Sequence, residues 1–133
     1  MVDEVTGRIL IVDDDPYFLR VLSRILSGEH FQVSTASGAA EAARSLGESS
    51  FDVVICDLRL PDGDGLSVLQ EVRKVRNDVP VVILTAYGEV DTYLEAMNAG
   101  ASEYLNKPVK SEDLVAVVRN CLRGRAAARR IAS

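Results

Sequence analysis

Short apolar runs alternate along the chain with longer segments in which apolar residues recur every three or four positions. The runs have lengths typical of β-strands, and they span residues 8–12, 31–36, 53–56, 81–85 and 102–105. The longer segments have the spacing of one buried helix face, and they span residues 16–28, 39–46, 66–75, 88–98 and 111–123. Segment 88–98 contains few large apolar residues, so we expect it to be the least firmly packed helix.

Residues at the ends of these segments agree with the alternation. Asp15 precedes Pro16 as the N-cap of the first helix, and Gly28 and Gly47 stand where the first two helices are expected to end. Five strand–helix units in succession predict an α/β fold of the (βα)5 type. This fold is a doubly wound parallel five-stranded sheet with helices on both faces, and its common strand order is 2-1-3-4-5.

The third strand ends at an acidic residue. Residues 53–56 are apolar without alternation, which is typical of a strand buried on both faces of a sheet. The run stops at Asp57, and a loop of Pro, Gly and Asp residues follows. Ligands of open α/β sheets bind beyond the carboxyl ends of the strands, so we expect Asp57 to face a crevice.

Two further acids follow the first strand. Order 2-1-3-4-5 makes the first and third strands neighbours, about 4.8 Å apart, which places Asp13 and Asp14 beside Asp57. Two unit charges about 4 Å apart repel by about 4 kcal/mol at an effective dielectric constant of 20. A divalent cation relieves that repulsion, and oxygen ligands completed by water favour Mg²⁺.

The fourth and fifth strands add two groups at the same edge of the sheet. Thr85 supplies a hydroxyl and Lys107 supplies an ammonium. Phosphoryl transfer to an aspartate needs positive charge and hydrogen-bond donors around the phosphoryl oxygens, together with a positioned carboxylate nucleophile. The combination therefore indicates phosphoryl chemistry at Asp57.

These residues resemble the receiver domain of two-component response regulators, over residues 8 to about 123. The motifs that carry the resemblance are Asp13-Asp14, the loop from Asp57 to Gly65, Thr85-Ala86 and Lys107-Pro108. By this resemblance Asp57 accepts a phosphoryl group from a phosphohistidine of a histidine kinase, and Thr85 and Lys107 hold its oxygens. The ligands implied for Mg²⁺ are Asp13, Asp14, Asp57 and the backbone carbonyl of Arg59.

The resemblance also implies a conformational switch. Thr85 moves toward the phosphoryl group and the ring of Tyr104 turns inward, which changes the surface of the fourth helix, fifth strand and fifth helix (α4-β5-α5). The Lys107–Pro108 peptide is cis in the family. Arg59 and Tyr87 occupy positions that tune the lifetime of the aspartyl phosphate, and we expect long side chains there to shield it from water.

Each candidate residue also has a purely structural interpretation. Asp15 is expected to act only as a helix cap, and His30 is expected to be a surface residue because it has no partner in view. Thr85 suits a strand, Lys107 could be a solvated lysine, and Tyr104 could simply pack on an edge strand. Their occurrence together favours the functional interpretation.

Other functions fit the sequence less well. A haloacid-dehalogenase-like phosphatase would use the acids of residues 13–15, but Tyr17 stands where Thr or Val is expected, and no acidic pair follows a further strand after Lys107. An FMN-binding flavodoxin needs Ser, Thr and Gly donors where this chain has acids. A receiver that docks partners without phosphorylation usually lacks an active-site residue, and none is missing here.

Charge is distributed unevenly along the 133 residues, whose net charge is -5. Residues 1–118 hold 10 basic and 20 acidic side chains, whereas residues 119–133 hold five Arg and no acid. The acidic body argues against nucleic-acid binding by this domain. We interpret the tail as cations at a helix C-terminus that continue into a solvated linker, with a DNA or membrane contact as the alternative. The predicted receiver domain is 1–123, and 124–133 is a helix extension or linker.

The remaining features favour a cytoplasmic signalling protein. Cys56 and Cys121 lack metal-ligand or redox spacing and are predicted to be reduced packing residues. No apolar run reaches the roughly 20 residues of a membrane span, and the N-terminus lacks a signal sequence. The expected partners are a histidine kinase, an output domain or downstream protein, and a second copy of the chain. Catalysis is expected only for phosphotransfer to the domain itself and for its dephosphorylation.

Overall fold

The computed structural model describes residues 6–76, 78–86 and 88–132. The strands in this part of the chain are β1 (Arg8–Val12), β2 (Gln32–Ala36), β3 (Val53–Cys56), β4 (Arg59–Leu60), β5 (Gly63–Asp64), β6 (Val81–Thr85) and β7 (Glu103–Asn106). The helices are α1 (Pro16–Gly28), α2 (Ala39–Glu48), α3 (Gly65–Val75), α4 (Val90–Asn98) and α5 (Ser111–Ala132).

Within the described residues the main sheet has five parallel strands in the order β2-β1-β3-β6-β7. This is the order 2-1-3-4-5 when the short antiparallel ribbon of β4 and β5 is left out of the count. The predicted (βα)5 fold and strand order are therefore confirmed. Because β1 lies between β2 and β3, the residues that follow β1 and β3 emerge side by side.

Alternate residues of the strands feed two separate apolar clusters, one on each face of the sheet. Leu10, Val54 and Ile83 pack with α2, α3 and α4, whereas Ile11 and Ile55 pack with α1 and α5. Every residue of β3 is buried, as a strand covered on both faces requires. The sheet is thus packed against helices on both faces, and polar residues lie in the loops beyond its carboxyl edge.

Several element ends differ from the sequence predictions. Helix α2 continues through Gly47 to Glu48, because Gly47 does not adopt the left-handed conformation that ends a helix. Helix α4 begins at Val90 rather than at residue 88, since Glu89 forms a capping box with Thr92. Two smaller predictions are confirmed: Asp15 caps α1 through its side chain, and His30 is exposed.

Helix α5 does not stop near residue 123 but runs on to Ala132. Arg125 is buried, and its guanidinium lies 2.8 Å from Asp52 Oδ1 and 3.3 Å from Asp78 Oδ2. Arg129 lies 2.8 Å from the same oxygen of Asp78. The structure agrees with the helix extension predicted after residue 123 rather than with a linker, and ion pairs of Arg125 and Arg129 hold it against the body.

Both cysteines are free thiols with a packing role. Cys56 is fully buried in β3, and burial raises the pKa of its thiol far above the ordinary value. Cys121 is half-buried on α5, where burial and then the charge of Glu103 raise its pKa to about 11. In the described residues, no helix is long and apolar enough to cross a membrane.

Candidate phosphoacceptor site

Backbone hydrogen bonds fix the residues that extend beyond the carboxyl edge of the sheet. The amide of Asp57 donates to the carbonyl of Val12 (2.9 Å), and the amide of Lys107 donates to the carbonyl of Thr85 (2.9 Å). The Lys107–Pro108 peptide is cis. The side chains of Asp57 and Lys107 therefore start from backbone positions that the sheet itself defines.

Lys107 bridges two of the three predicted carboxylates. Its Nζ lies 2.7 Å from Asp13 Oδ2 and 2.9 Å from Asp57 Oδ2. The exposed fractions of the two acids are only 2% and 6%, so these contacts are screened little by water. The same Nζ lies 4.1 Å from the centroid of the Phe18 ring, within the range of a cation–π interaction.

The pKa directions at this bridge have identifiable causes. Burial raises the pKa of Asp13 above its ordinary value, and the hydrogen bonds from Lys107 and Asp15 offset only part of that rise. Burial lowers the pKa of Lys107, but the hydrogen bonds to Asp13 and Asp57 outweigh it and leave that pKa raised. Lys107 therefore holds its proton between the two acids, and burial more than neighbouring charge makes Asp13 harder to ionise.

The third carboxylate completes an oxygen cluster. Single carboxylate oxygens of Asp13, Asp14 and Asp57 lie within 4.8 Å of one another, and Asp14 is exposed. The backbone amide of Arg59 donates to Asp57 Oδ1 (3.2 Å), so the Arg59 peptide lies beside the cluster. An all-oxygen set of this size with an open side toward water fits Mg²⁺, which retains several waters when it binds to proteins.

Thr85 ends β6 at the same edge of the sheet, and it is fully buried. Strand β6 is paired with β3, which ends just before Asp57, and Thr85 is in register with Asn106 of β7. The structure thus brings Asp13, Asp57, Thr85 and Lys107 to one edge, where the sequence predicted them.

Tyr104 lies in β7 and is half-buried. Its hydroxyl oxygen lies 2.8 Å from Thr92 Oγ1, and its ring meets the Tyr93 ring edge-on with centroids 5.5 Å apart. Thr92 Oγ1 also belongs to the capping box that Glu89 forms at the start of α4. Tyr104 is therefore held by a specific polar contact to the first turn of α4, in addition to packing.

An open cleft of about 340 Å³ surrounds the acids. Residues lining it include Asp14, Arg59, Ala86 and Lys107, and the Arg59 side chain is exposed at its rim. Tyr87, the second predicted lifetime residue, lies outside the described residues. A larger groove of about 620 Å³ lies between α1 and α5, so the chemistry of the lining residues, rather than cleft size, identifies the site.

Phe18 and Asp62 are contributors that the sequence did not reveal. Phe18 has the spacing of the buried face of α1, and nothing in that spacing indicates that its ring lies under Lys107. Asp62 stands in a loop rich in turn residues, and its hydrogen bonds to Ala39 and Ala40 join segments more than twenty positions apart. Neither contact had a local signal that could have predicted it.

A family model for the response regulator receiver domain matches residues 9–119, which is most of the chain. The chain belongs to the response regulator receiver family. This receiver domain is 43% identical over 120 residues to the transcriptional regulatory protein PrrA of Mycobacterium leprae, covering 90% of this chain and 52% of PrrA. It is 37% identical over 114 residues to the transcriptional regulatory protein ZraR of Escherichia coli K12, covering 86% of this chain and 26% of ZraR.

Solved structures agree with this assignment. The receiver domain matches a CheY-like response regulator receiver protein from Methanospirillum hungatei with a TM-score of 0.90 and 31% identity, over 93% of this chain and 99% of that one. It matches NtrX from Brucella abortus with a TM-score of 0.91 and 28% identity, over 96% of this chain and 30% of NtrX. The chain therefore spans about a quarter to a half of PrrA and ZraR, but nearly all of the Methanospirillum receiver.

Proposed function

We propose that the domain is switched by transfer of a phosphoryl group from a histidine kinase to Asp57. The observation that carries the proposal is the bridge from Lys107 Nζ to both Asp13 and Asp57, in a cleft that also holds Asp14. A half-buried lysine between acids gives a fixed positive charge beside the nucleophile, and a cation is expected to balance the remaining negative charge.

In the proposed reaction, a carboxylate oxygen of Asp57 attacks the phosphorus of a phosphohistidine. The new O–P bond forms as the P–N bond breaks, and the bond electrons return to the imidazole nitrogen, which takes up a proton. Lys107 keeps its proton throughout, since the acids around it raise its pKa, and its N–H groups turn from Asp57 toward a phosphoryl oxygen. The hydroxyl of Thr85 is assigned to a second phosphoryl oxygen.

The Mg²⁺ ligands in this proposal are Asp13, Asp14, Asp57 and the backbone carbonyl of Arg59. A bound Mg²⁺ supplies positive charge that neutralises the carboxylates and the transferred phosphoryl oxygens. Asp13 is held for this role by two contacts, since its Oδ1 accepts from the amide of Asp15 (2.9 Å) and its Oδ2 accepts from Lys107 (2.7 Å).

The proposed output of phosphorylation is a change at the face formed by α4, β7 and α5. Movement of Thr85 toward the phosphoryl group lets the Tyr104 ring turn inward, which requires its hydroxyl to leave Thr92. Val90 and Leu94 of α4 are 74% and 51% exposed, so this face already presents apolar surface to a partner. The face is also the proposed site of homodimerisation.

Arg59 and Tyr87 are proposed to lengthen the life of the aspartyl phosphate by shielding it from water. The position of Arg59 at the rim of the cleft supports this for one of the two residues. Phosphate loss should be faster in Arg59→Ala and Tyr87→Ala than in wild type. Unchanged or slower hydrolysis in both variants would contradict the hypothesis.

The proposed partners are a histidine kinase and an output domain or downstream protein. PrrA and ZraR are transcriptional regulatory proteins longer than this chain, which supports an output of that kind. Direct nucleic-acid or membrane binding is not part of the proposal, since Arg125 and Arg129 of the tail are paired with acids of the body. A cytoplasmic location is proposed and is consistent with two free thiols.

A small acyl phosphate with Mg²⁺ tests the proposal without a kinase. Wild type should gain one phosphoryl group that is stable to acid and labile to base, as detected by intact-protein mass spectrometry, and Asp57→Asn should gain none. Asp64→Asn is the matched control, because Asn also caps helices and Asp64 caps α3 outside the lining of the cleft, so it should be labelled like wild type.

Two results would contradict the proposed function. Labelling of Asp57→Asn to the wild-type extent would move the acceptor elsewhere. Absence of labelling in a folded wild type with Mg²⁺ present would favour a receiver that docks its partners without phosphorylation.

A further inference from the structure

The loop after Asp57 folds into a ribbon of two very short strands. Arg59–Leu60 of β4 pairs with Gly63–Asp64 of β5, and Pro61 and Asp62 form the turn between them. Leu60 is buried in the core, and Asp64 caps α3 through a capping box with Ser67. Because each strand has only two residues, a shift of the turn moves the peptide of Arg59 as well.

The tip of this ribbon is bonded to the start of α2. Asp62 Oδ1 accepts from the amide of Ala39 (2.7 Å), and Oδ2 accepts from the amide of Ala40 (3.0 Å). These bonds, first from Ala40 and then from Ala39, hold the pKa of Asp62 below its ordinary value. The N-cap residue of α2 is Gly38, which provides no side-chain cap, so the carboxylate of Asp62 takes over that role from a distant part of the chain.

Gly38 allows this approach because it has no side chain. A Cβ at Gly38 would lie 2.7 Å from Asp62 Oδ1, closer than such atoms come in proteins. Its backbone is extended, with φ of -169°, so a residue with a side chain suits this conformation once the carboxylate is gone. A side chain at position 38 therefore fits only if the carboxylate of Asp62 moves or is removed.

The start of α2 is also connected to the opposite wall of the acidic cleft. The carbonyl of Ala36, at the end of β2, accepts from the amide of Asp13 (3.1 Å), and only residues 37 and 38 separate Ala36 from α2. On the other wall, the amide of Arg59 donates to Asp57 Oδ1 (3.2 Å). The bonds of Asp62 to α2 thus join the Arg59 wall of the cleft to the Asp13 wall.

We propose that Asp62 is a positioning residue, which fixes the distance between the two walls and thereby sets the affinity of the cleft for Mg²⁺ and the rate at which Asp57 is phosphorylated. The inference rests on the proposed function. Asp62 contacts neither the cation nor the phosphoryl group; it acts through the peptide of Arg59. Residues that orient metal ligands in this way typically change metal affinity by about 10- to 100-fold when they are removed.

A simpler role for Asp62 is that it only stabilises α2 as a helix cap. Replacement of a cap by Ala destabilises a helix whether or not the cap also positions a distant ligand, so stability alone does not separate the two roles. The chain offers a variant that does. In Gly38→Ser combined with Asp62→Ala, the serine caps α2 locally, but the side-chain hydrogen bonds between position 62 and the start of α2 are absent.

The experiment compares wild type, Asp62→Ala, Asp62→Asn and the double variant. Mg²⁺ binding to the unphosphorylated proteins is measured by titration calorimetry, thermal unfolding is followed without Mg²⁺, and labelling by an acyl phosphate is measured at limiting and saturating Mg²⁺. Asp62→Ala should weaken Mg²⁺ binding about tenfold and slow labelling at limiting Mg²⁺. Asp62→Asn should fall between Asp62→Ala and wild type, since its amide retains one acceptor oxygen.

The double variant decides between the two roles. The inference requires that its melting temperature returns toward that of wild type while its Mg²⁺ affinity stays as weak as in Asp62→Ala. Recovery of both properties would show that Asp62 is only a cap. Wild-type Mg²⁺ affinity in Asp62→Ala would overturn the inference directly.

The wild-type measurements keep the two proposals distinguishable. Absence of Mg²⁺ binding and of labelling in wild type would remove the proposed function, and the role of Asp62 with it. Normal binding and labelling in wild type, with no change in Asp62→Ala, would overturn the role of Asp62 alone. If Asp62→Ala does not fold, the recapped double variant and Asp62→Asn supply the same comparison.

Discussion

The two edges of the sheet carry opposite arrangements of charge. At the carboxyl edge, three carboxylates lie close together and a single lysine bridges two of them, which leaves an excess of negative charge. At the amino edge, Arg125 and Arg129 of α5 face Asp52 and Asp78, which precede β3 and β6, and the formal charges cancel. Asp52 is further held by the amide of Arg8, which donates to its Oδ2 (2.8 Å).

The difference distinguishes a cluster with unbalanced charge from one whose charges are balanced. Like charges brought together in a partly buried cleft cost folding free energy unless opposite charges offset them, and one lysine offsets only part of the charge of three carboxylates. The charges at the amino edge are balanced and hydrogen-bonded, so they do not carry this cost in folding free energy. They also hold the last turns of α5. Removal of charge at the two edges should therefore change stability in opposite directions.

The largest effect is expected from truncation after Arg123, which removes the extension that the sequence separated from the domain. Both arginines of the amino-edge cluster are lost, and Asp52 and Asp78 remain without their partners from α5. We expect a loss of about 3 kcal/mol in the free energy of unfolding, measured by urea denaturation. An unchanged denaturation midpoint would support the predicted boundary at residue 123.

Arg125→Ala should give the largest effect of any single substitution in this cluster. The Arg125 side chain is only 7% exposed and is bonded to both acids, so its removal should cost about 2 kcal/mol. Arg123→Ala is the matched control, because Arg123 is exposed on the same helix and contacts Asn120 at 3.4 Å; its effect should stay within about 0.5 kcal/mol. Equal effects of the two substitutions would contradict the buried-cluster interpretation.

The effect of Arg125→Ala should also depend on pH. Burial raises the pKa of Asp78, but the hydrogen bonds from Arg129 and Arg125 outweigh it, so this pKa lies below the ordinary value of 3.8. A lowered acid pKa gives stability that is complete above 3.8 and lost as the pH falls through the folded value. The stability difference between wild type and Arg125→Ala should therefore be constant near neutral pH and shrink in acid below about pH 4.

Paired Asp→Asn substitutions test the predicted contrast in sign. Asp14→Asn removes one negative charge from the carboxyl edge and leaves both contacts of Lys107 intact, so without divalent cations it should raise the free energy of unfolding by about 0.5 kcal/mol. Asp78→Asn removes the negative charge that pairs with Arg125 and Arg129, and it should lower the free energy of unfolding by about 1 kcal/mol. Urea denaturation with a chelator present measures both. Changes of the same sign would contradict the comparison between the edges.

The carboxyl edge was largely predictable from sequence because its residues follow strand ends. Once strand order is inferred, Asp13, Asp57, Thr85 and Lys107 must emerge at one edge, and the parallel register leaves little freedom in their placement. The helix cap at Asp15 was predictable for a similar reason, since its signal is local.

The amino edge was not predictable in the same way. Arg125 is separated from Asp52 by 73 positions and from Asp78 by 47, so no local pattern connects them. Arginines near a helix end are usually solvated. In this chain, however, α5 is long enough to place Arg125 over the loops before β3 and β6. Helix ends are less predictable: α2 continues only two residues past the predicted end at residue 46, because Gly47 is a weak stop signal.

The smallest effect is expected from Arg129→Ala, which tests whether burial or charge gives the amino-edge cluster its strength. Arg129 and Arg125 bind the same oxygen of Asp78, at 2.8 and 3.3 Å, but their side chains are 52% and 7% exposed. An exposed pair is screened by water and salt, so Arg129→Ala should cost no more than about 0.5 kcal/mol despite its shorter contact. In about 1 M NaCl, where the Debye length is about 3 Å, this cost should vanish. Most of the cost of Arg125→Ala should remain, because salt screens a buried pair much less than an exposed one. Equal salt sensitivity in the two variants would show that the cluster acts through surface charge alone.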